Sequence, residues 1–412
     1  MAKLIKCCSI VSIVFGVILI IVSIVGLTLF PKLVSNKVKE KIVLRKDSDS
    51  FKRWTKLSVP VFIKFYLFDI QNKNDVFNGH KPIVVERGPY VFRQTREKLD
   101  IEIDELNATI TYKELKGYYF EPELSNGSLS DELTVVDVPV ASLINKVSGS
   151  LLGSFGVSSL NEILKAVEQT AFNTYTVEEI IYGHPIPVLQ KLDEQLSWFG
   201  VQFLSKVPKK FGLLHEKNLT ASDSLTVNSG IHDVNDLQKV IKWNNEKKVS
   251  FWNSDYCNMI NGTDGSRFHP DVKPDDVLYV FNPALCRSVS LTFDTKTKVE
   301  NIETLRFQLP EKFFASRRRE TDNNCFCTKE KTTCDYDGLL DISKCRNDAP
   351  ILISAPHFLY GDIKLIDSIN GLQPNELYHK TFVDVEPLTG AVLNAARRMQ
   401  INVHIKSNEN IQ

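Results

Sequence analysis

The sequence has no excess of either charge, since 50 lysines and arginines balance 50 aspartates and glutamates among its 412 residues. A chain that binds nucleic acid is expected to carry a basic excess. The balance therefore argues against a nucleic-acid partner. The apolar and aromatic content is ordinary, which predicts a mostly globular chain instead of a disordered one.

The sequence also lacks the short motifs of the common enzyme classes. It has no G-x-S-x-G, H-E-x-x-H, P-loop or G-x-G-x-x-G pattern, each of which places a nucleophile, a metal or a phosphate group. Its eight histidines form no pair with metal-ligand spacing. A catalytic triad scattered through the chain stays an open alternative, because such residues meet only in the folded protein. We predict no catalytic residue, no metal site and no cofactor.

Long apolar runs are scarce, and the one that stands out lies near the N-terminus. Residues 10–30 contain no charged side chain and are followed by Pro31. About 20 apolar residues are enough for a helix to cross the hydrocarbon of a bilayer. The alternative, a signal peptide, has a shorter apolar region of about 7–15 residues and a cleavage site between small residues. We therefore predict an uncleaved transmembrane helix at 10–30, with residues 1–9 in the cytosol.

The orientation of this helix depends on two opposing signals. More lysines and arginines follow the span than precede it, and the positive-inside rule would then place the long C-terminal part in the cytosol. Glycosylation sequons and clustered cysteines favour the opposite side, so residues 31–412 are predicted to be luminal or extracellular. Cys7 and Cys8 precede the span and are candidates for S-palmitoylation, with unmodified cytosolic thiols as the alternative.

The other six cysteines fall in one window, residues 257–345, and suit three disulfides in an oxidising compartment. Six cysteines can pair in about 15 different ways, so their number does not fix the connectivity. A zinc site built from four thiolates is the alternative, although the paired C-x2-C spacing of common structural sites is missing. The cysteines are Cys257, Cys286, Cys325, Cys327, Cys334 and Cys345.

Four Asn-x-Ser/Thr sequons support the luminal side, because such triplets are acceptors for N-glycosylation in secreted chains. Each triplet is weak by itself, but four of them beyond a single anchor form a coherent pattern. The acceptor asparagines are Asn107, Asn126, Asn218 and Asn261.

The remaining patterns predict a mixed α+β chain. Residues 32–46 and 51–57 have helical spacing of apolar side chains, whereas residues 61–120 alternate in short runs separated by turn residues, as antiparallel strands do. Residues 144–196 become helical again, and the β pattern returns from Phe211 onward.

Two capping boxes mark helix starts in the central helical region. Ser159 with Glu162, and Thr176 with Glu179, have the spacing in which a hydroxyl and a carboxylate satisfy free N–H groups reciprocally. Residues 153–159, rich in glycine and serine, are predicted to be a loop before the first of these helices.

Three blocks carry a family likeness: residues 83–93 (IVVERGPYVFR), 257–265 (CNMINGTDG) and 384–390 (DVEPLTG). Together they resemble the class B scavenger receptors, the family of the fatty-acid translocase, the high-density-lipoprotein receptor and the lysosomal integral membrane protein. The resemblance covers essentially the whole chain. The family has a second, C-terminal membrane span, and because no second apolar run follows, we expect that this part is missing.

The resemblance implies a fold and a disulfide pattern. The fold is a large antiparallel β-barrel with an internal hydrophobic tunnel, a helical-bundle apex at residues 143–205 and a disulfide region at 257–345. The pairs that it implies are Cys257–Cys325, Cys286–Cys345 and Cys327–Cys334.

The resemblance further implies a receptor at the plasma membrane that binds lipoprotein particles and lipids (long-chain fatty acids, sterols and phospholipids) and passes cargo toward the bilayer. Two alternatives stay open: a lysosomal membrane protein that is the receptor for a luminal hydrolase, and a purely adhesive receptor. Anionic ligands would be steered by positive charge, although these lysines could equally be solvated surface residues. The candidates are Lys165, Lys206, Lys209 and Lys210.

Overall fold

The computed structural model describes residues 2–56, 59–148, 153–197, 209–327 and 333–405. Only the backbone is described for residues 2–13, 22, 28, 153–155, 196 and 197. The helices are α1 (Ala2–Ile42), α2 (Asp49–Thr55), α3 (Lys73–Phe77), α4 (Val138–Ser148), α5 (Gly153–Ala166), α6 (Val177–Tyr182), α7 (Pro187–Ser197), α8 (Ile363–Ile366) and α9 (Glu376–His379).

The N-terminal helix α1 fits the predicted membrane anchor. It is long and apolar enough to cross a membrane between Val14 and Ile42, and its most apolar window of 18 residues is not buried against the rest of the protein. The helix predicted at 32–46 is helical as far as Ile42, but it forms one helix with the span, because α1 continues through Pro31. Proline inside a helix removes one hydrogen bond and clashes with the preceding turn, at a cost of about 3 kcal/mol, but the apolar spacing continues beyond it. Ile42 and Leu44 are buried in the core, so α1 runs directly into the folded domain.

Most strands pair in an antiparallel manner. They are β1 (Val61–Ile70), β2 (Val84–Asp104), β3 (Thr109–Phe120), β4 (Glu132–Val136), β5 (Phe172–Thr176), β6 (His184–Pro185), β7 (Lys210–Phe211), β8 (Thr220–Ala221), β9 (Leu225–Asn228), β10 (Val240–Trp243), β11 (Val277–Asn282), β12 (Arg287–Val299), β13 (Ile302–Gln308), β14 (Leu340–Asp341), β15 (Ile351–Ser354), β16 (Phe382–Val385), β17 (Val392–Ala396) and β18 (Gln400–Val403).

Two curled sheets dominate the described part of the chain. The first has the order β1-β2-β3-β9-β10, with β8 on the side of β3, and the second has the order β11-β12-β13-β16-β17. Hydrogen bonds join strands within each sheet, and the described residues form two half-barrels, not the closed barrel that the resemblance implies. The prediction of antiparallel sheets combined with helices is confirmed.

An apolar core joins the two sheets near the end of α1. Ile110 and Tyr112 of β3 pack in one buried cluster with Phe281 of β11 and with Trp54 of α2. Burying such side chains stabilises a fold by about 1.5–3 kcal/mol each. The two half-barrels therefore face each other across a shared interior.

The helical region confirms one capping box and contradicts the other. Thr176 caps α6, and its hydroxyl and the Glu179 carboxylate each accept a hydrogen bond from the other residue's backbone N–H. Ser159, in contrast, lies inside α5, which begins at Gly153. Val157, Leu160 and Leu164 are all buried on this helix, so packing of the apolar face outweighs the low helix propensity of glycine and serine.

Candidate functional site

The lysines predicted to receive anionic ligands lie on the surface. Lys165 lies in the last turn of α5, and its Nζ lies 3.3 Å from Oε1 of Glu162. Lys210 begins β7, Lys209 precedes it, and both are exposed. Lys206 lies outside the described residues, as do the side chains of the palmitoylation candidates Cys7 and Cys8.

The predicted glycosylation sites are accessible to different extents. Asn107, Asn126 and Asn261 are exposed, whereas Asn218 is half-buried. The side-chain oxygen of Asn218 accepts a hydrogen bond of 2.9 Å from the backbone N–H of Tyr118. The amide nitrogen, which would carry a glycan, is not the atom used in this contact.

The six clustered cysteines form three disulfides in the structure: Cys257–Cys325, Cys286–Cys345 and Cys327–Cys334. These are the pairs that the resemblance implies. The Cα atoms of the pairs are 5.8–6.4 Å apart, within the range that a disulfide requires. The zinc alternative is incompatible with these bonds, because bonded sulfur atoms are not thiolate ligands.

A group of charged side chains lies between the two half-barrels, and no motif in the sequence announced it. We call it the inter-sheet charged cluster. It consists of Arg96, Lys98, Glu114, Lys116, Asp264 and Arg397.

Strand register places four of these side chains on one face of the first sheet. Arg96 of β2 lies opposite Lys116 of β3, and Lys98 lies opposite Glu114. Alternate residues of a strand point to the same face, so the four side chains form a charged layer. Tyr112 follows on the same face of β3 and belongs to the apolar core.

Lys98 is held by aromatic rings and a carbonyl group. Its Nζ donates to the backbone oxygen of Trp54 at 2.9 Å and lies 4.6 Å from the Trp54 ring centre and 5.2 Å from that of Tyr112. Burial lowers the pKa of Lys98, and the charges of Asp264 and Glu114 oppose that shift only in part. Such a cation over aromatic faces gains attraction where water is excluded.

Asp264 supplies a negative charge from the loop before β11. Burial by itself would raise the pKa of Asp264, but the charge of Lys98 and hydrogen bonds from Ser266 outweigh it, so the pKa is lowered. The hydroxyl and the backbone N–H of Ser266 donate to Asp264 Oδ1 at 2.6 and 2.9 Å. Asp264 is therefore an ionised partner of the buried amine.

Glu114 neutralises part of the cluster's positive charge. Its Oε2 lies 2.8 Å from Nζ of Lys116, and its Oε1 lies 3.9 Å from Nη1 of Arg96. Arg96 also donates through Nε to the side-chain oxygen of Gln94 at 2.6 Å. The side chains of Arg96 and Lys116 keep 27% and 30% of their surface accessible, so the layer is enclosed without being sealed.

Arg397 faces the cluster from the second half-barrel, directly after β17. Burial and the charge of Arg96 lower the pKa of Arg397, although its side chain is exposed. The segment after Arg397 is connected to the first sheet through His357. Gln400 Oε1 accepts a hydrogen bond from the backbone N–H of His357. Nε2 of His357 lies 2.6 Å from Oε2 of Glu86 in β2.

Sequence reasoning missed this cluster because its members are distant along the chain. One signal was available. Among the even-numbered residues of β2, which share a face, Tyr90 and Phe92 are followed by Arg96 and Lys98. A face that changes from aromatic to charged within one long strand indicates two different environments. Asp264 belongs to a block that supported the family likeness, residues 257–265, but no role was attached to it.

The comparisons with known proteins agree on one family. The model of the CD36 family matches residues 14–412. Lysosome membrane protein 2 of Homo sapiens is 35% identical over 404 residues, which cover 97% of this chain and 81% of that protein. Scavenger receptor class B member 1 of Mus musculus is 34% identical over 396 residues, with 95% and 74% covered. The chain therefore belongs to the CD36 family.

Proposed function

We propose that this chain is a membrane-anchored receptor, and not an enzyme, that binds lipids and lipoprotein particles and passes fatty acid or sterol toward the membrane. The observation that carries the proposal is the match of nearly the whole chain to the CD36 family. Its relatives in that family include a scavenger receptor. The apolar helix α1 fits the anchor that such a receptor needs.

The arrangement of the half-barrels supports a route for lipid between them. Leu393 and Ala395 of β17 are exposed, while Val383, opposite Ala395, packs against an apolar cluster of the same sheet. An accessible apolar surface beside enclosed charges suits a lipid tail. Keeping that tail out of water is worth about 0.8 kcal/mol per CH₂ group.

The remaining features of the proposal concern topology and docking. Residues 31–412 would lie outside the cytosol and carry the glycans and disulfides, while Cys7 and Cys8 would be palmitoylated near the inner leaflet. The helical region would form the docking apex, where Lys165, Lys209 and Lys210 would attract anionic particles.

A variant that obstructs the space between the half-barrels tests the transfer route. Ala395→Trp adds a large side chain at an exposed position of β17, and Ala221→Trp makes the same change on the exposed edge strand β8. We expect the first variant to slow delivery of a fluorescent long-chain fatty acid into vesicles by about 10-fold or more, and the second to behave as wild type. Equal transfer by all three proteins would overturn the route.

A second candidate function is a lysosomal membrane protein that is the receptor for a luminal hydrolase. The observation in its favour is the 35% identity to lysosome membrane protein 2. Pulldown of lysosomal hydrolases by the glycosylated protein at pH 7 and pH 5 separates the two proposals. Capture of a hydrolase without saturable lipid binding would favour the second.

A further inference from the structure

Arg287 is a buried arginine of the disulfide region that forms no ion pair with the residues that the structure describes. It follows Cys286, begins β12 and keeps only 7% of its surface accessible. Its Nε donates to the backbone oxygen of Ser288 at 3.4 Å, whereas its Nη1 is buried and has no hydrogen-bond partner in the described part of the chain. A buried charge without a partner costs free energy, so this guanidinium calls for a ligand or a solvent partner.

Two aromatic rings hold the guanidinium group in place. Its Cζ lies 3.4 Å from the ring centre of Phe326 and 4.5 Å from that of Phe313. Such contacts compensate part of the lost hydration, but they leave Nη1 without an acceptor. Burial lowers the pKa of Arg287 to about 9, and only Tyr256 acts in the opposite direction. Since this pKa lies above 7, the group remains charged at neutral pH.

A small cavity adjoins Arg287. Its volume is about 20 Å³, and about 10–15 Å³ is enough to hold one water molecule. This space suits one water molecule or a single-atom ion and is too small to enclose a phosphate group or a lipid chain. Phe313 and Phe326 form part of its wall, together with the disulfide between Cys327 and Cys334. The buried cation therefore lies at a cavity with defined walls.

The other charged groups at this cavity already have partners. Arg317 donates through Nε to Oδ1 of Asp335 at 2.7 Å. Oδ1 of Asp341 accepts from the backbone N–H and the hydroxyl of Ser343 at 2.9 and 2.6 Å. Asp341 is also not among the groups whose charge acts on Arg287. The described walls thus contain a buried cation whose charge no carboxylate balances.

We propose that the cavity beside Arg287 binds a small monovalent anion of the size of chloride, which accepts a hydrogen bond from Nη1 of Arg287. A single-atom anion fits the volume, supplies the acceptor that Nη1 lacks and balances the buried charge, whereas a water molecule supplies only the acceptor. The ion stabilises the disulfide region around β12. The site is separate from the proposed lipid route, because its cavity does not enclose a lipid chain.

The test measures thermal unfolding of the full chain in phosphatidylcholine nanodiscs. Sodium chloride, sodium bromide and sodium gluconate are compared at equal ionic strength, because gluconate is too large for the cavity. One charge-assisted hydrogen bond predicts an apparent Kd of about 10–100 mM for chloride. We expect chloride and bromide at about 500 mM to raise the midpoint by about 1–3 °C relative to gluconate, with saturation.

Arg287→Met removes the donor and keeps an apolar side chain against Phe313 and Phe326. It should abolish the difference between chloride and gluconate. Arg93→Gln is the matched control, because Arg93 lies in β2 of the other sheet and its Nε is 2.7 Å from Oε1 of Glu121. It should keep the response of wild type. Equal midpoints of wild type in chloride and gluconate would overturn the site, as would an unchanged chloride response in Arg287→Met.

A direct measurement on wild type decides the matter if Arg287→Met does not fold. Crystals of the full chain grown in sodium bromide should show an anomalous bromide peak within hydrogen-bonding distance of Nη1 of Arg287. Water density at this position without an anomalous peak would mean that the cavity holds only water, and the anion site would then be wrong.

Discussion

Lys98 shows how a single charged residue is accommodated inside this fold. The amine gains a carbonyl group, two aromatic faces and nearby carboxylates, yet burial still lowers its pKa. The charged form is therefore less favoured in the folded protein than in the unfolded chain. Lys98 contributes a pH-dependent cost to stability that is greatest when the amine is protonated in both states.

We expect this cost to fall as the pH rises from 7 toward 10. Across that range the folded protein releases the Lys98 proton before the unfolded chain does, so the unfolded state binds more protons and the free energy of unfolding rises. Wild type should gain stability relative to Lys98→Met, whose side chain does not titrate. Urea denaturation at several pH values measures the difference between the two midpoints.

Lys113→Met is the control for this series, because Lys113 is an exposed residue of β3 whose Nζ lies 3.1 Å from Asp100. Its midpoint should follow that of wild type at every pH. A Lys98→Met variant that gains on wild type as the pH rises would show that the amine is not disfavoured by burial.

Residue roles were the hardest feature to predict from the sequence. The cysteines and sequons are visible as letters and spacings, and the resemblance supplied the pairs. Arg96 and Arg397 become neighbours only because two half-barrels face each other, and their common environment depends on register and packing between distant segments. No local pattern encodes that proximity.

At the scale of helices and strands, the capping box of α6 is a local device that the sequence predicts correctly. Thr176 Oγ1 accepts from the N–H of Glu179 at 3.2 Å, and Glu179 Oε2 accepts from the N–H of Thr176 at 2.9 Å. Both bonds satisfy backbone donors that the helix itself leaves free.

Thr176→Ala should lower the free energy of unfolding by about 1 kcal/mol. Thr176→Ser keeps the hydroxyl and should remain close to wild type. Thermal unfolding of the three proteins, followed by circular dichroism, measures the effect. If alanine is as stable as serine at this position, the capping contact contributes nothing.

Element boundaries were predicted less well where packing overrides local preference. Ser159 has the sequence of a helix start, but α5 begins at Gly153 and carries its buried face through Val157 and Leu160. Pro31 has the character of a helix end, but α1 passes through it. In both places a continuing apolar spacing was the stronger signal.

At the scale of the whole molecule, the orientation of the chain is the feature with the widest consequences. Disulfides and N-glycans form only on the luminal or extracellular side. The lysines and arginines that follow the span oppose this orientation by the positive-inside rule. These two signals predict opposite orientations, and the disulfide pairs seen in the structure favour the luminal side.

Glycan removal tests the orientation. Treatment of the cell-expressed protein with peptide N-glycosidase should increase its mobility on a gel, and replacement of the exposed Asn107, Asn126 and Asn261 by glutamine should abolish most of that shift. Under non-reducing conditions, peptide mapping should recover the three disulfide pairs. A protein without glycans and with free thiols would place the domain in the cytosol.

Alternation, helical spacing and family likeness were enough to predict the class of fold. They were not enough to predict how the sheets close. Closure of a sheet depends on hydrogen bonds between strands that lie far apart in sequence, and the described strands divide between two half-barrels instead. The proposed lipid route requires the space between these half-barrels.

Photolabelling with a long-chain fatty acid that carries a diazirine in its tail tests that claim most directly. The full chain in nanodiscs is irradiated with and without excess unlabelled fatty acid, and the modified peptides are found by mass spectrometry. We predict competable labelling at residues 393–397 and on the inner face of β2 around Arg96. Labelling confined to exposed segments such as α9, or labelling that unlabelled fatty acid does not reduce, would contradict a lipid route between the half-barrels.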